Sequence, residues 1–275
     1  MTLGKARHHV RMSDPSPPLS PAPALPAATI LLVRDRPALE VLMVKRHHQI
    51  DFASGALVFP GGKIEPGDAD PAWAEHCRGW DAHPADERPI RIAALREAFE
   101  ESGVLLARDA DGVPWRAIEA AAASRERIAK GEIPFLGLVQ SLDVQLDLEA
   151  MALFARWITP VMMPKRFDTW FFIATAPEDQ LAVCDGYETV DAEWIEPVAA
   201  MDLADRGERK IIFPTRMNLQ LLAESSSSEA AIAAARGRRT VTVLPKIEVR
   251  DGERHLVLPP DAGYGVIAEP LSNAM

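Results

Sequence analysis

Three carboxylates recur at helical spacing in the stretch Arg96-Glu97-Ala98-Phe99-Glu100-Glu101-Ser102-Gly103-Val104. At about 100° per residue, Glu97, Glu100 and Glu101 fall on one face of a helix, while Ile92, Leu95 and Phe99 gather on the opposite one. Such a helix can bury an apolar stripe and still present three acids together. Like charges held so close need compensation, and hard divalent cations that favour oxygen ligands, Mg²⁺ or Mn²⁺, supply it. A cation held there would bridge to phosphate oxygens, acidify a bound water and stabilise charge on a leaving phosphate. Arg96 stands four residues before Glu100, so the two can also pair. Taken alone, these residues fit a solvated acidic helix face better than a metal site.

The residues upstream shift that balance. Phe59-Pro60-Gly61-Gly62-Lys63-Ile64-Glu65-Pro66-Gly67-Asp68 is a glycine-rich turn leaving a strand. Its glycines allow backbone to approach a ligand or another segment closely. The turn and the acidic helix together are far more specific than either half.

The elements that must position these residues can be read from pattern. Residues 1 to 26 are rich in proline and poor in large apolar residues, as in a disordered tail. One domain is expected from 27 to 275. Ala27 to Val33 and Leu39 to Val44 read as a hairpin joined by Arg34-Asp35-Arg36-Pro37, and Ala56 to Phe59 as a third strand. Residues 69 to 89, marked by prolines and aspartates, read as an irregular insertion with one helical turn near Trp73 to Cys77. Ile90 to Ser102 is the acidic helix, stopped by Gly103. Helices are expected at Trp115 to Lys130 and Leu148 to Phe154, and strands at Arg156 to Ile158, Thr169 to Thr175 and Val190 to Ile195. The C-terminal extension reads as helices over 197 to 205 and 214 to 236, the second broken near Ser225 to Ser228. It closes with Thr240 to Leu244 and a hairpin of Ile247 to Arg250 and His255 to Leu258 about Asp251-Gly252. Strands mixed with helices, without strict alternation, predict an α/β sandwich built on a mixed sheet.

Composition narrows the partners. A formal net charge of −10 repels nucleic-acid backbones, so nucleic acid is not an expected partner. It also repels phosphorylated small molecules unless cations or a local basic patch intervene, which returns the argument to the metal. The apolar runs are too short to span a bilayer, no secretory signal is visible, and Cys77 and Cys184 form no disulfide framework, so a cytoplasmic enzyme is expected. His47-His48 and His76-Cys77 with His83 match no standard zinc spacing. A homodimer is compatible with the sequence.

The turn and helix together resemble the Nudix box, G-x5-E-x7-R-E-U-x-E-E-x-G-U with U a bulky aliphatic. Gly62 takes the first position, Asp68 the first acidic one, and Arg96, Glu97, Glu100, Glu101, Gly103 and Val104 the rest. Asp68 replaces Glu, Ala98 replaces a bulky aliphatic, and the spacer runs for 27 residues from Ala69 to Leu95. An insertion at this place resembles the branch of peroxisomal-type coenzyme A diphosphatases, as do Leu105-Leu106-Ala107-Arg108, Trp157-Ile158-Thr159-Pro160 and Lys165-Arg166-Phe167-Asp168-Thr169.

The resemblance implies a Nudix-type α/β/α sandwich and metal-dependent hydrolysis of a nucleoside diphosphate derivative. Coenzyme A or acyl-CoA is the favoured substrate, giving 3′-phosphoadenosine 5′-phosphate and an (acyl)phosphopantetheine; ADP-ribose or NADH is the alternative. A non-catalytic nucleotide-binding module is a third option, against which three clustered acids speak. Glu97, Glu100 and Glu101 are implied metal ligands, with the Gly62 carbonyl as another. Arg96 is expected to orient a box carboxylate, with Asp68 as partner. Either a box glutamate or a later loop carboxylate, here Glu188, is the expected general base. Lys45, Arg46 and Arg166 are the candidate phosphate-binding residues, because an anionic substrate needs local positive charge.

Overall fold

The computed structural model of the chain describes residues 22–46, 55–116, 118–178, 189–265 and 268–274. In chain order the elements are β1 (Ala24–Asp35), β2 (Leu39–Arg46), β3 (Leu57–Val58), β4 (Gly61–Lys63), β5 (Cys77–Arg78), α1 (Arg88–Ser102), β6 (Ala107–Arg108), α2 (Ile118–Ala129), α3 (Phe135–Ser141) and β7 (Gln145–Asp147). There follow β8 (Ala152–Ile158), β9 (Arg166–Thr175), β10 (Thr189–Ile195), α4 (Pro197–Asp205), α5 (Phe213–Leu222), α6 (Ser228–Gly237), β11 (Thr242–Val243), β12 (Lys246–Arg250), β13 (Glu253–Val257), β14 (Ala268–Pro270) and α7 (Leu271–Ala274).

The main sheet runs β10-β2-β1-β9-β8-β11, with β3 on β2 and β4 on β1. It is mixed: β1 and β9 are parallel, as are β8 and β11, and the other pairs are antiparallel. Strand side chains alternate between faces, and the two cores follow that alternation. Ile30, Leu32, Leu42 and Phe172 pack on one side with α1 and its neighbours. Leu31, Val33, Val41, Met43 and Ile173 pack on the other with Phe213, Leu219 and Ala231 of the C-terminal helices. The result is the expected α/β/α sandwich.

Several elements form where their local sequence places them. The β1–β2 hairpin pairs Val33 with Val41 and Asp35 with Leu39. Gly103 caps α1 with φ 76°, the left-handed conformation that glycine adopts without a Cβ penalty. The helices after Glu196 and the turn between β12 and β13 also fall where expected.

Three expectations are corrected. First, Leu148 to Phe154 is not a helix. A single 3₁₀ turn spans Leu148–Ala150, and β8 begins at Ala152. Leucine, alanine and methionine favour a helix locally, but pairing of β8 with β9, from Ala152–Ile173 to Ile158–Asp168, overrides that preference. Second, the tail ends earlier than residue 26, because Ala24, Leu25 and Pro26 already pair in parallel with Arg166, Phe167 and Asp168; residues 1–21 lie outside the described part. Third, the insertion is more ordered than the irregular segment expected, although the helical turn near Trp73 falls where expected. It holds 3₁₀ turns at Pro71–Glu75 and Trp80–Ala82, and β5 joins β7 and β6 in a small separate sheet. Trp73 is only 1% exposed, donates its indole N–H to the Gly67 carbonyl at 2.9 Å and lies 5.7 Å from the Phe135 ring. Phe135 in turn stacks on Phe99 of α1 at 6.0 Å. The insertion thus closes the core over the outer side of α1.

Candidate active site

Sequence periodicity places the three glutamates on a polar face of α1. In the structure that face is covered. Glu97 and Glu101 are buried, because β4 and the 3₁₀ turn Pro66–Ala69 lie across the helix. β4 is held by antiparallel pairing of Gly61 and Gly62 with Thr29 and Ala28 of β1. A side chain on Gly61 would stand 2.5 Å from the Ala28 carbonyl, so only glycine lets the two strands meet there. A side chain on Gly62 would stand 2.5 Å from the Glu97 carboxyl carbon. The glycine pair therefore brings main chain against a carboxylate on one side and a strand on the other.

Arg96 organises the acids. Its Nε donates to Asp68 Oδ1 at 2.9 Å and Nη2 to Asp68 Oδ2 at 3.0 Å, a two-point clamp between buried groups. Nη2 also donates to the Lys63 carbonyl at 2.8 Å, and Nη1 reaches Glu97 at 2.9 Å and Glu100 at 3.3 Å. Asp68 is fixed in turn by accepting the Glu65 N–H at 2.8 Å. Glu101 accepts the Gly61 N–H at 2.9 Å. Burial opposes the Arg96 charge, but the bonds to Asp68 and the nearby Glu97 and Glu100 outweigh it and hold its pKa above the usual guanidinium value. Burial pushes the Glu100 carboxyl up to about 7, with Arg96 pulling it down and Glu65 and Asp68 adding to the rise.

The predicted partnership of Arg96 with Asp68 is therefore present, and Gly62, Glu97, Glu100 and Glu101 come together. Among the described residues no three acids or histidines already converge in metal-ligating geometry, because Arg96 Nη1 lies between Glu97 and Glu100. The donor set still suits Mg²⁺ or Mn²⁺: hard carboxylate oxygens beside a main-chain turn with no Cβ in the way.

Two of the candidate phosphate-binding residues, Lys45 and Arg166, are not gathered here. Lys45 shares its face of β2 with Met43 and lies opposite Leu57, both in the core that α1 does not touch. Arg166 is buried and donates to the carbonyls of Thr159 at 3.0 Å and Ala22 at 2.7 Å, tying the start of β1 to β9. It acts as a structural arginine. Glu188 and the Arg46 side chain lie outside the described residues, as do His47, His48 and Cys184. Glu65 was missed in the sequence; its signal was the Glu65-x-x-Asp68 spacing of a reciprocal cap, which the structure forms.

Residues 79–221, slightly more than half of the chain, match the family model described as the NUDT19 Nudix domain. The chain belongs to that family. The match begins inside the insertion and contains the acidic helix, while the glycine turn and residues 69–78 precede it. Similar proteins include the acyl-coenzyme A diphosphatases NUDT19 of Xenopus laevis and Homo sapiens. The first is 27% identical over 64% of this chain and 57% of its own length, the second 28% identical over 70% and 59%. This chain thus spans less than two thirds of either relative. A crystal structure of a NUDIX hydrolase from Alicyclobacillus acidocaldarius is also similar, with 28% identity and a TM-score of 0.68 over 77% of this chain and 96% of that one. The Nudix α/β/α sandwich expected from the box is the architecture found.

Proposed function

We propose that this Nudix domain hydrolyses the diphosphate linkage of coenzyme A or an acyl-CoA with the help of Mg²⁺ or Mn²⁺. The observation that carries the proposal is the docking of the acidic helix on the glycine turn, through Arg96 to Asp68 and through Glu101 to the Gly61 N–H. The names of the NUDT19 relatives support the choice of substrate.

Glu97, Glu100 and Glu101, with the Gly62 carbonyl, would hold the divalent cation, which when bound offsets phosphate charge and acidifies a water. Arg96 keeps Glu97 and Glu100 in place while its fork stays on Asp68, and the Gly61 N–H holds Glu101. Water adds across one phosphoanhydride, the P–O bond to the leaving phosphate breaks, and each product keeps a terminal phosphate. Glu188, placed by the sequence alone, is proposed as the carboxylate that takes the proton from water. The partner is a nucleotide-derived small molecule, and no described helix is long and apolar enough to cross a membrane. A reducing compartment such as the cytoplasm is proposed, in keeping with the buried free thiol of Cys77.

A substrate panel with Mg²⁺ or Mn²⁺ tests this: coenzyme A, acetyl-CoA, a long-chain acyl-CoA, ADP-ribose, NADH and nucleoside triphosphates. Release of 3′-phosphoadenosine 5′-phosphate from coenzyme A or an acyl-CoA is the expected result. Turnover of ADP-ribose or NADH alone moves the function to the other substrates, and no turnover of any member leaves a nucleotide-binding module.

A further inference from the structure

A pocket of about 440 Å³ opens where the insertion, the start of β8 and the end of α6 meet. Its volume lies in the range of small-ligand sites. It is not the carboxylate site: β1 and β9 stand between β8 and the β4 turn in the sheet. Its lining is apolar from Met151 to Leu153 and at Ala235, and carries Arg91, Arg236, Arg238 and His83 with one carboxylate, Glu149.

The three arginines converge on one chain segment. Arg91 donates to the carbonyls of Met151 at 3.1 Å and Leu148 at 3.4 Å, Arg236 to Glu149 at 2.9 Å and Arg238 to Phe154 at 2.6 Å. Carbonyls satisfy N–H groups but, for Arg236 and Arg238, leave the charge uncompensated. Arg91 has its counter-charge in Glu87 at 2.6 Å, and the Glu149 side chain, which also lines the pocket, lies 3.7 Å from Arg78. Glu224 and the Tyr264 hydroxyl act on Arg238 only at longer range, and burial lowers its pKa despite them. Among the described residues no carboxylate lies within ion-pair distance of Arg236 or Arg238. His83 Nε2 is buried at the rim with no hydrogen-bond partner. A concentration of positive charge beside an apolar floor is out of character for a chain of net charge −10.

We infer that this pocket is a second ligand site, built for a phosphate-bearing small molecule. The phosphate meets the guanidinium groups of Arg236 and Arg238, and the body of the ligand rests on Met151 to Leu153. Such a ligand would tie the insertion, through His83, to α6. The inference does not depend on the hydrolytic activity.

The test uses the full chain in EDTA, with inorganic phosphate as the probe, at constant ionic strength against chloride. Melting temperature should rise saturably with phosphate in the wild type. Arg236→Gln, an exposed position, should weaken the apparent affinity about tenfold or more. Arg238→Lys, which keeps the charge but loses the fork, should weaken it less than Arg238→Gln. Should Arg238→Gln fail to fold, the Arg236→Gln and Arg238→Lys pair decides. A phosphate response that is unsaturable, or unchanged in Arg236→Gln, overturns the site. So does a response that survives Arg236→Gln and disappears in Glu100→Gln, since phosphate would then occupy the carboxylate cluster.

Discussion

Arg96 grips Asp68 through Nε and Nη2, at 2.9 and 3.0 Å, although the two residues lie 28 positions apart across the insertion. The clamp fastens the glycine turn to the acidic helix and sets where the carboxylates face. Arg96→Ala leaves Asp68, 2% exposed, as a buried carboxylate without its counter-charge. A loss of about 3–5 kcal/mol in stability is expected. Arg96→Lys keeps a charge but cannot fork, so it should fall between the two. Urea denaturation of the three proteins measures the order, and an Arg96→Ala protein as stable as wild type would falsify the clamp.

Gly62→Ala tests the close approach of turn and helix. The added methyl must displace the Glu97 carboxylate, which lies where the Cβ would stand. Turnover with saturating Mg²⁺ should drop by about tenfold or more. The loss of stability should be about 1–3 kcal/mol, the usual cost of overpacking. Wild-type turnover in Gly62→Ala would show that Glu97 is not needed where it sits.

Glu101 separates a structural from a chemical role. Its polar-face position suggests a residue that can be changed at little cost, but it is 3% exposed and accepts the Gly61 N–H. Glu101→Ala strands that donor and should cost about 1–3 kcal/mol. Glu101→Gln can still accept the bond while losing the charge. It should therefore melt near wild type and lose turnover. Equal melting temperatures for the two variants would mean that the Gly61 bond contributes nothing.

Trp73 asks whether the insertion belongs to the core. Its ring is buried against Phe135, and its indole N–H is bonded to Gly67. Trp73→Ala should destabilise by about 3–5 kcal/mol, as for other large aromatic truncations in cores. A change under about 0.5 kcal/mol, typical of a surface loop, would contradict the packing described.

Cys77 supplies a pH-dependent signature. Burial pushes its thiol up to about 12 from the usual 9.0. A value raised on folding means a stabilising contribution that is complete below pH 9.0 and is lost as pH climbs toward about 12, since the unfolded thiol ionises first. In a Cys184→Ser background, a disulfide reagent at pH 8 should leave the native protein unlabelled and react at once after denaturation. Rapid labelling of the native protein would refute the burial.

The sequence by itself determined which residues stand together in the candidate site. Glu97, Glu100 and Glu101 share a helix face because α-helical geometry makes them do so, and Gly61-Gly62 announces close approach because no other residue pair would permit it. The β1–β2 hairpin and the Gly103 cap were legible for the same reason: their causes lie within a few residues. What lay far apart in the chain was not legible. The first half of β8, Ala152 to Phe154, becomes a strand because β9 is there to pair with it, against the helical preference of those residues. The insertion packs because Trp73 finds Phe135, and α1 buries its acids because β4 and Asp68 cover them. Lys45 and Arg166 carry the right charge for a phosphate, yet strand register and main-chain carbonyls place them elsewhere. Local periodicity decides which side chains share a face; only the tertiary structure decides what that face meets.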